Sequence, residues 1–578
     1  MIIYKLNFTI LKQILVIKFA KERIMLDFAK EKSLWDNIRT SEDFARHREE
    51  IAKKYEDSFK IAPSAHTVEE ILGKDDHGKW ARSLNQLQSS ALMSLIYPDN
   101  DEYYDNLLRI IWAYLDTYTW APLGHYNGYY DRTPDDYDIG LIDIFASSVA
   151  FSLAEIKNLF SDRLPQLIKD RISAELRRRT IEPFVNRKYF WEKHPNNWSS
   201  VCAGGVGGVL MYEDPELYME QRERLDSAMQ VYIDSYADDG VCVEGAAYWG
   251  FGFGFFVSYA MLQRELTNGE YDWFKNPKVK AIATFIQKML LQTNVVASFS
   301  DCNPRENYWI GLPHILRDIY GDEVEKLPKT SGTIIEYTHF NFSLRSLIYY
   351  KPEYAVDKVA ENVTYNMEST GYFTKRTKHY GFAAKGGNNG ESHNHNDVGS
   401  FILAKDDKQI LCDIGAGAYC DGYHGNQRYT FFHPSSFSHN LPFFDGVGQD
   451  GYRREDVKIE YIPHENTIYM DFTRGYGIDY LEKAERMFYF TDSVVTLNDR
   501  FTLKKDSVIT ERFVTKIKPK LLGKHVILDG VKISPVNNIV PTITLEKHPG
   551  HLANTIDEVY CIDYVLEGET EFTVDFFC

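Results

Sequence analysis

Apolar positions along the chain change period once. From about Leu34 to Leu316 they recur at three- and four-residue steps, as in Leu84-Leu87-Ala91-Leu92-Leu95, Leu107-Ile110-Ile111-Tyr114-Leu115, Ile139-Ile142-Phe145-Ala146-Val149-Leu153 and Leu164-Ile168-Ile172-Leu176. Pro, Asp and Gly interrupt these runs without intervening strands, so the spacing predicts about ten helices in one domain, an array of antiparallel helix pairs such as an α/α toroid. Beyond about Phe342 the period falls to two, in Ser400-Phe401-Ile402-Leu403-Ala404, Thr467 to Phe472, Val494-Val495-Thr496-Leu497 and Phe572-Val574-Phe576. Many short alternating segments punctuated by turn residues predict an antiparallel β-sandwich. The fold class expected is therefore multidomain α+β: an N-terminal extension over 1–30, an α/α toroid over 31–335 and a β-sandwich over 336–578. No internal repeat of fixed period is visible.

A chain of 578 residues exceeds what one hydrophobic core supports, which agrees with two or three domains. The mean hydropathy of −0.37 is that of a soluble globular protein. A formal net charge of −18 argues against a nucleic-acid or anionic-membrane partner. It leaves an anionic ligand possible, because a cleft can carry its own local charge. Arg177-Arg178-Arg179 is expected at a helix C-terminus, where cations favour the helix dipole. The aromatic share of 14% supplies candidate platforms for sugar rings. Lys5, Lys12 and Lys18 cut the apolar residues of Met1 to Met25 into pieces too short for a signal peptide, and an alternative start at Met25 is as compatible as an N-terminal helix. No span reaches the ~20 apolar residues of a membrane helix. Seven cysteines without metal-type spacing suit a reducing compartment, so a cytoplasmic protein is expected. A homodimer is left open.

Three segments carry chemistry. His194-Pro195-Asn196-Asn197-Trp198 precedes a Gly-rich helix start, and its amides can either cap the helix or grip a carboxylate. The following Gly204-Gly205-Val206-Gly207-Gly208 lacks both a preceding strand and a closing Lys-Ser/Thr, which favours close helix packing over a phosphate loop. The second segment, Asp238 to Gly252, delivers Glu244 from an Asp/Gly turn and places Tyr248 one helical turn later on the same face. A Tyr there is ordinarily a packed, hydrogen-bonded residue; catalysis as a base requires neighbours that stabilise phenolate. The third, Gly390-Glu391-Ser392-His393-Asn394-His395-Asn396-Asp397, reads as a strand on which His393 and His395 share a face. One imidazole of this pair, Asp413 and His439 would form a three-ligand set of the kind zinc accepts; a pair of solvated histidines is the plainer alternative.

In this order the segments resemble the heparinase II/III-like polysaccharide lyases, at motif level over about 180 to 450 and at the level of architecture over the whole chain. The resemblance implies β-elimination on a uronate-containing glycan, heparin- or heparan-sulfate-like for preference and alginate or another polyuronate otherwise. It assigns Asn197, helped by Asn196 and His393, to the uronate carboxylate, and Tyr248 to proton transfer at C5, at the glycosidic oxygen, or both. It assigns His395, Asp413 and His439 to a structural zinc ion. Trp198 stands where several relatives have a second histidine, which puts activity on both uronate epimers in doubt and makes Trp198 either a stacking platform or a core residue. Glu244, Arg428, Asn440 and Gln449 are lesser candidates for sugar contacts. Two other classes compete: a toroid glycoside hydrolase using Asp239 or Glu244 with Asp301, and a non-catalytic, metal-braced glycan-binding protein.

Overall fold

The computed structural model describes residues 26–71, 77–122, 125, 138–303, 308–330, 332–334, 339–420, 422–423, 425–551 and 555–578. The first twenty-five positions of the expected N-terminal extension lie outside them. Helix follows helix through the first part: Lys32–Thr40, Ala45–Ser58, His77–Ile96, Asp101–Asp116, Ile144–Leu159, Gln166–Leu176, Asn197–Glu213, Pro215–Asp234, Gly254–Leu266, Gly311–Tyr320 and Phe340–Ile348. Asn197–Glu213 is central and packs against Ile144–Leu159, Pro215–Asp234 and Gly254–Leu266. Its residues are buried on every side from Asn197 to Met211, the signature of a helix enclosed by others. The four glycines serve that enclosure. A Cβ at Gly205 would lie 2.7 Å from the Ser147 carbonyl, and one at Gly208 would lie 2.5 Å from the Phe151 ring.

Two expectations shift here. Arg177–Ile181 does not end a helix; it is a widened π turn that runs on into Glu182–Asn186. Arg179 is buried there because it donates to Glu175 and to the carbonyls of Thr117 and Tyr118. The helical part also extends past residue 335, since Phe340, Phe342, Leu344 and Leu347 of the last helix sit in the helical core.

The remainder is antiparallel sheet. A five-stranded sheet runs in the order Lys408–Leu411, Phe401–Lys405, Gly381–Lys385, Tyr372–Arg376, Val363–Met367. An eight-stranded sheet is centred on Val494–Leu503 and Glu571–Phe577, and a four-stranded sheet on Ile509–Thr515 and Ile556–Leu566. Alternation decides how they stack. Phe373, Phe382, Phe401 and Leu403 join the sandwich core with Phe488, Phe513 and Phe576. Tyr372, Ala383, Ile402 and Ala404 on the opposite face join the helical core instead. The central strands Gly381–Lys385 and Phe401–Lys405 are thus buried on both faces, and they carry no polar side chain before their terminal lysines for that reason.

Candidate active site

The site forms where the ends of the helical segments meet the loops of this central sheet. On the helical side, Asn196 adopts extended backbone and its side-chain oxygen caps the helix by accepting from the Trp198 amide at 2.9 Å. That frees the next residue. Asn197 donates from Nδ2 to the Glu244 carboxylate at 3.2 Å. Glu244 does not share a helical face with Tyr248 as the spacing suggests: Gly245, at φ +102, breaks the chain between them, and the helix starts only at Ala246. The positive φ lets Gly245 pass against the Phe299 carbonyl and Cys302, where a Cβ would collide.

Tyr248 reaches across to the sheet side. Its ring stacks on His393 with centroids 4.2 Å apart and an interplanar angle of 29°, and its hydroxyl lies 3.3 Å from that of Tyr419. Burial, reinforced by Tyr419, Asp301 and Glu244, pushes the phenol well above its ordinary pKa. It is therefore neutral, ready to donate a proton. The stabilisation of phenolate that a base would require is not provided by these neighbours.

His393 and His395 do converge, though not on a strand. Residues 386–400 form a loop between the strands Gly381–Lys385 and Phe401–Lys405, with His393 itself in left-handed backbone at φ +55. What aligns the two rings is Asp301. Its Oδ2 lies 2.9 Å from His393 Nδ1 and its Oδ1 3.2 Å from His395 Nε2. Arg428 and the Tyr423 hydroxyl also reach Oδ1, at 2.9 and 3.2 Å. Burial alone would raise the Asp301 pKa, but the hydrogen bonds of His393 and His395, with the Arg428 charge, hold it well below the carboxylate range.

Behind the loop lies a second cluster. His395 Nδ1 and His439 Nε2 face each other at 3.2 Å, with the Asp413 oxygens 3.8 and 3.3 Å from them respectively. The other nitrogen of each ring is occupied, His395 Nε2 by Asp301 and His439 Nδ1 by the Ser435 carbonyl at 2.8 Å. Two imidazoles that spend their N–H outward turn their lone pairs inward. Asp413 Oδ2 is buried without a hydrogen bond. This donor set fits a zinc ion. Asp397 belongs to the same cluster but is engaged by the Lys385 ammonium at 2.7 Å.

Four expected sugar contacts are placed otherwise. Trp198 is only 5% exposed and packs against His125 and Phe190, so it is a core residue and not a stacking platform. Arg428 spends its guanidinium on the His393 and Asn394 carbonyls and on Asp301. Asn440 is bound by the backbone of Phe401, Cys412 and Val514. Gln449 bridges Asn389 and both backbone groups of Val398. These three hold the loops in place because their polar atoms are already used. The carboxylate pairs of a hydrolase are not set out here: Asp239 is fastened to Thr370, and both oxygens of the buried Asp301 are taken by His393, His395, Tyr423 and Arg428. Sequence reasoning missed Asp301 as the imidazole partner and missed Tyr419 altogether. Nothing local marks either, since Asp301 lies 92 positions from His393 and Tyr419 lies 171 from Tyr248.

No protein-family model matches the sequence, and no curated protein is similar to it in sequence. Solved structures are similar in fold. A heparinase III structure superposes with a TM-score of 0.58 at 13% identity, covering 87% of this chain and 78% of its own. A mutant of the heparan sulfate lyase HepC from Pedobacter heparinus gives 0.57 at 14%, covering 95% and 93%. The chondroitin AC lyase of Streptomyces coelicolor, solved with chondroitin sulphate, gives 0.56 at 10%, covering 94% and 82%. The chain therefore has the fold of these polysaccharide lyases, an α/α toroid followed by an antiparallel β-sandwich.

Proposed function

We propose that the protein is a polysaccharide lyase that cleaves a uronate-containing glycan by β-elimination, with heparan-sulfate-like chains or their oligosaccharides as the favoured substrate. The observation that carries this is the stack of Tyr248 on His393, rings brought from opposite halves of the chain, with Asn197 held on Glu244, whose charge is felt at Tyr248. The proton at C5 of a uronate is α to the carboxylate, and its removal drives negative charge onto that group. Asn197 Nδ2 is the donor available to receive that charge, while the His393 ring, its Nδ1 on Asp301, lies against Tyr248. The neutral Tyr248 phenol is suited to protonate the glycosidic oxygen as it leaves. To act as base at C5 it must first lose that proton through the Tyr419 hydroxyl to water, and the proton it then takes from C5 is the one it passes to the glycosidic oxygen. His395, Asp413 and His439 would hold zinc, which when bound braces the loops presenting His393. The names of the superposed proteins support a glycosaminoglycan. With Arg428 committed to the loop, the feature this site is equipped to read is the uronate carboxylate.

The test is the ultraviolet absorbance of the unsaturated uronide formed from heparin, heparan sulfate, hyaluronan, chondroitin and alginate, as polymers and as oligosaccharides. Turnover is expected on at least one. Tyr248→Phe should reduce it about 10²–10⁴-fold with the fold intact. Absence of the chromophore across all of them would sink the reading.

A further inference from the structure

Asp301 stands on a segment that belongs to neither half of the site yet touches both. Ser300, at φ +68, donates its hydroxyl to the Val243 carbonyl at 2.7 Å, one residue before Glu244. Ser298 donates to the Asp413 carbonyl at 3.0 Å, at the metal cluster. Left-handed backbone at a serine costs about 1 kcal/mol or more and persists where the surroundings fix it. Between these anchors the Asp301 carboxylate, its side chain fully buried, receives His393 through one oxygen and His395 through the other.

We propose that Asp301 is a positioning residue that couples the metal cluster to His393, by fixing the tautomer of both imidazoles with one carboxylate. An ionised carboxylate only accepts hydrogen bonds. His393 must therefore carry its proton on Nδ1, leaving Nε2 as the lone-pair nitrogen of the ring that stacks on Tyr248. His395 must carry its proton on Nε2, which leaves the Nδ1 lone pair for a metal. A rotation of this carboxylate disturbs both rings at once. Arg428 ties the arrangement down, because it grips Asp301 and the His393 and Asn394 carbonyls together.

Asp301→Asn tests this with almost no change in volume. An amide offers one acceptor and one donor, so one of the two imidazoles must switch tautomer. The expected result is a zinc affinity lowered about 10- to 100-fold, followed by competition with a chromophoric chelator, and at saturating zinc a kcat lowered by a similar factor with KM within about threefold. Only the kinetic arm rests on the lyase reading. A wild-type protein without lyase activity whose Asn variant still loses zinc affinity refutes that reading and leaves this one standing. A folded Asn variant with wild-type zinc affinity and kcat overturns the proposal. Should the variant not fold, nitrogen-15 spectra of histidine-labelled wild type, with His393→Gln for assignment, decide it: the Nδ1-protonated tautomer at His393 is expected, and the Nε2-protonated one overturns the proposal.

Discussion

Adjacent asparagines do different work at this site. Asn196 is an N-cap, holding the first turn of the enclosed helix, while Asn197 turns its amide to Glu244. Substitution should separate the two. Asn196→Ala is expected to cost about 1 kcal/mol of stability, measured by denaturant unfolding, with kcat/KM changed little. Asn197→Ala should lower kcat/KM about 10²–10³-fold, by removing a donor to a developing anion, besides costing about 1–3 kcal/mol of stability where the buried Glu244 oxygen loses its partner. The reverse pattern would mean that the roles have been exchanged. The same division holds on the sheet side, where Arg428, Asn440 and Gln449 secure backbone and His393 alone of the expected sheet-side contacts stacks on Tyr248.

Among the elements, the loop 386–400 holds both imidazoles that meet Asp301, and it is pinned at many points. Asn389 binds Gln449 and the carbonyls of Asp450 and Gly475, and Lys385 holds Asn394 and Asp397. One member of the loop resists this order. Burial, against the opposing charge of Lys385 and with Asp397 and Asp456 adding to it, raises the Glu391 carboxyl to about 7, and its Oε2 is buried without a partner. A carboxyl raised on folding stays protonated while the unfolded chain ionises, so stability is lost as pH rises from about 4.5 to about 7 and is level above that. Glu391→Gln should accordingly raise the melting temperature by about 2–4 °C at pH 8 and leave it unchanged at pH 4. Equal shifts at the two pH values would refute the assignment.

At the scale of the whole molecule, the five-stranded sheet fuses two cores, and the segment around Asp301 is wedged between them. A zinc ion at His395, Asp413 and His439 would join three separate loops of the sandwich at this junction. Chelation is expected to lower the melting temperature by about 3 °C or more, reversibly on returning zinc. His439→Ala should remove the response. A melting temperature indifferent to chelator in protein shown to contain zinc would contradict the bracing role. No helix among the described residues is long and apolar enough to cross a membrane.

The sequence by itself determined the two architectures, because period 3.6 and period 2 are local properties that each stretch of chain carries alone. It also pointed to the segments that meet at the candidate site, through Asn196-Asn197, Tyr248 and His393-Asn394-His395. Which atoms meet was decided only by tertiary structure. Residues 386–400 are a loop and not a strand because Asp301, Arg428 and Lys385, from distant or flanking positions, outweigh local alternation. Trp198 became core, and Arg428, Asn440 and Gln449 became braces, because burial is a property of the packed whole. A carboxylate 92 positions from His393 leaves no trace in the residues around either one.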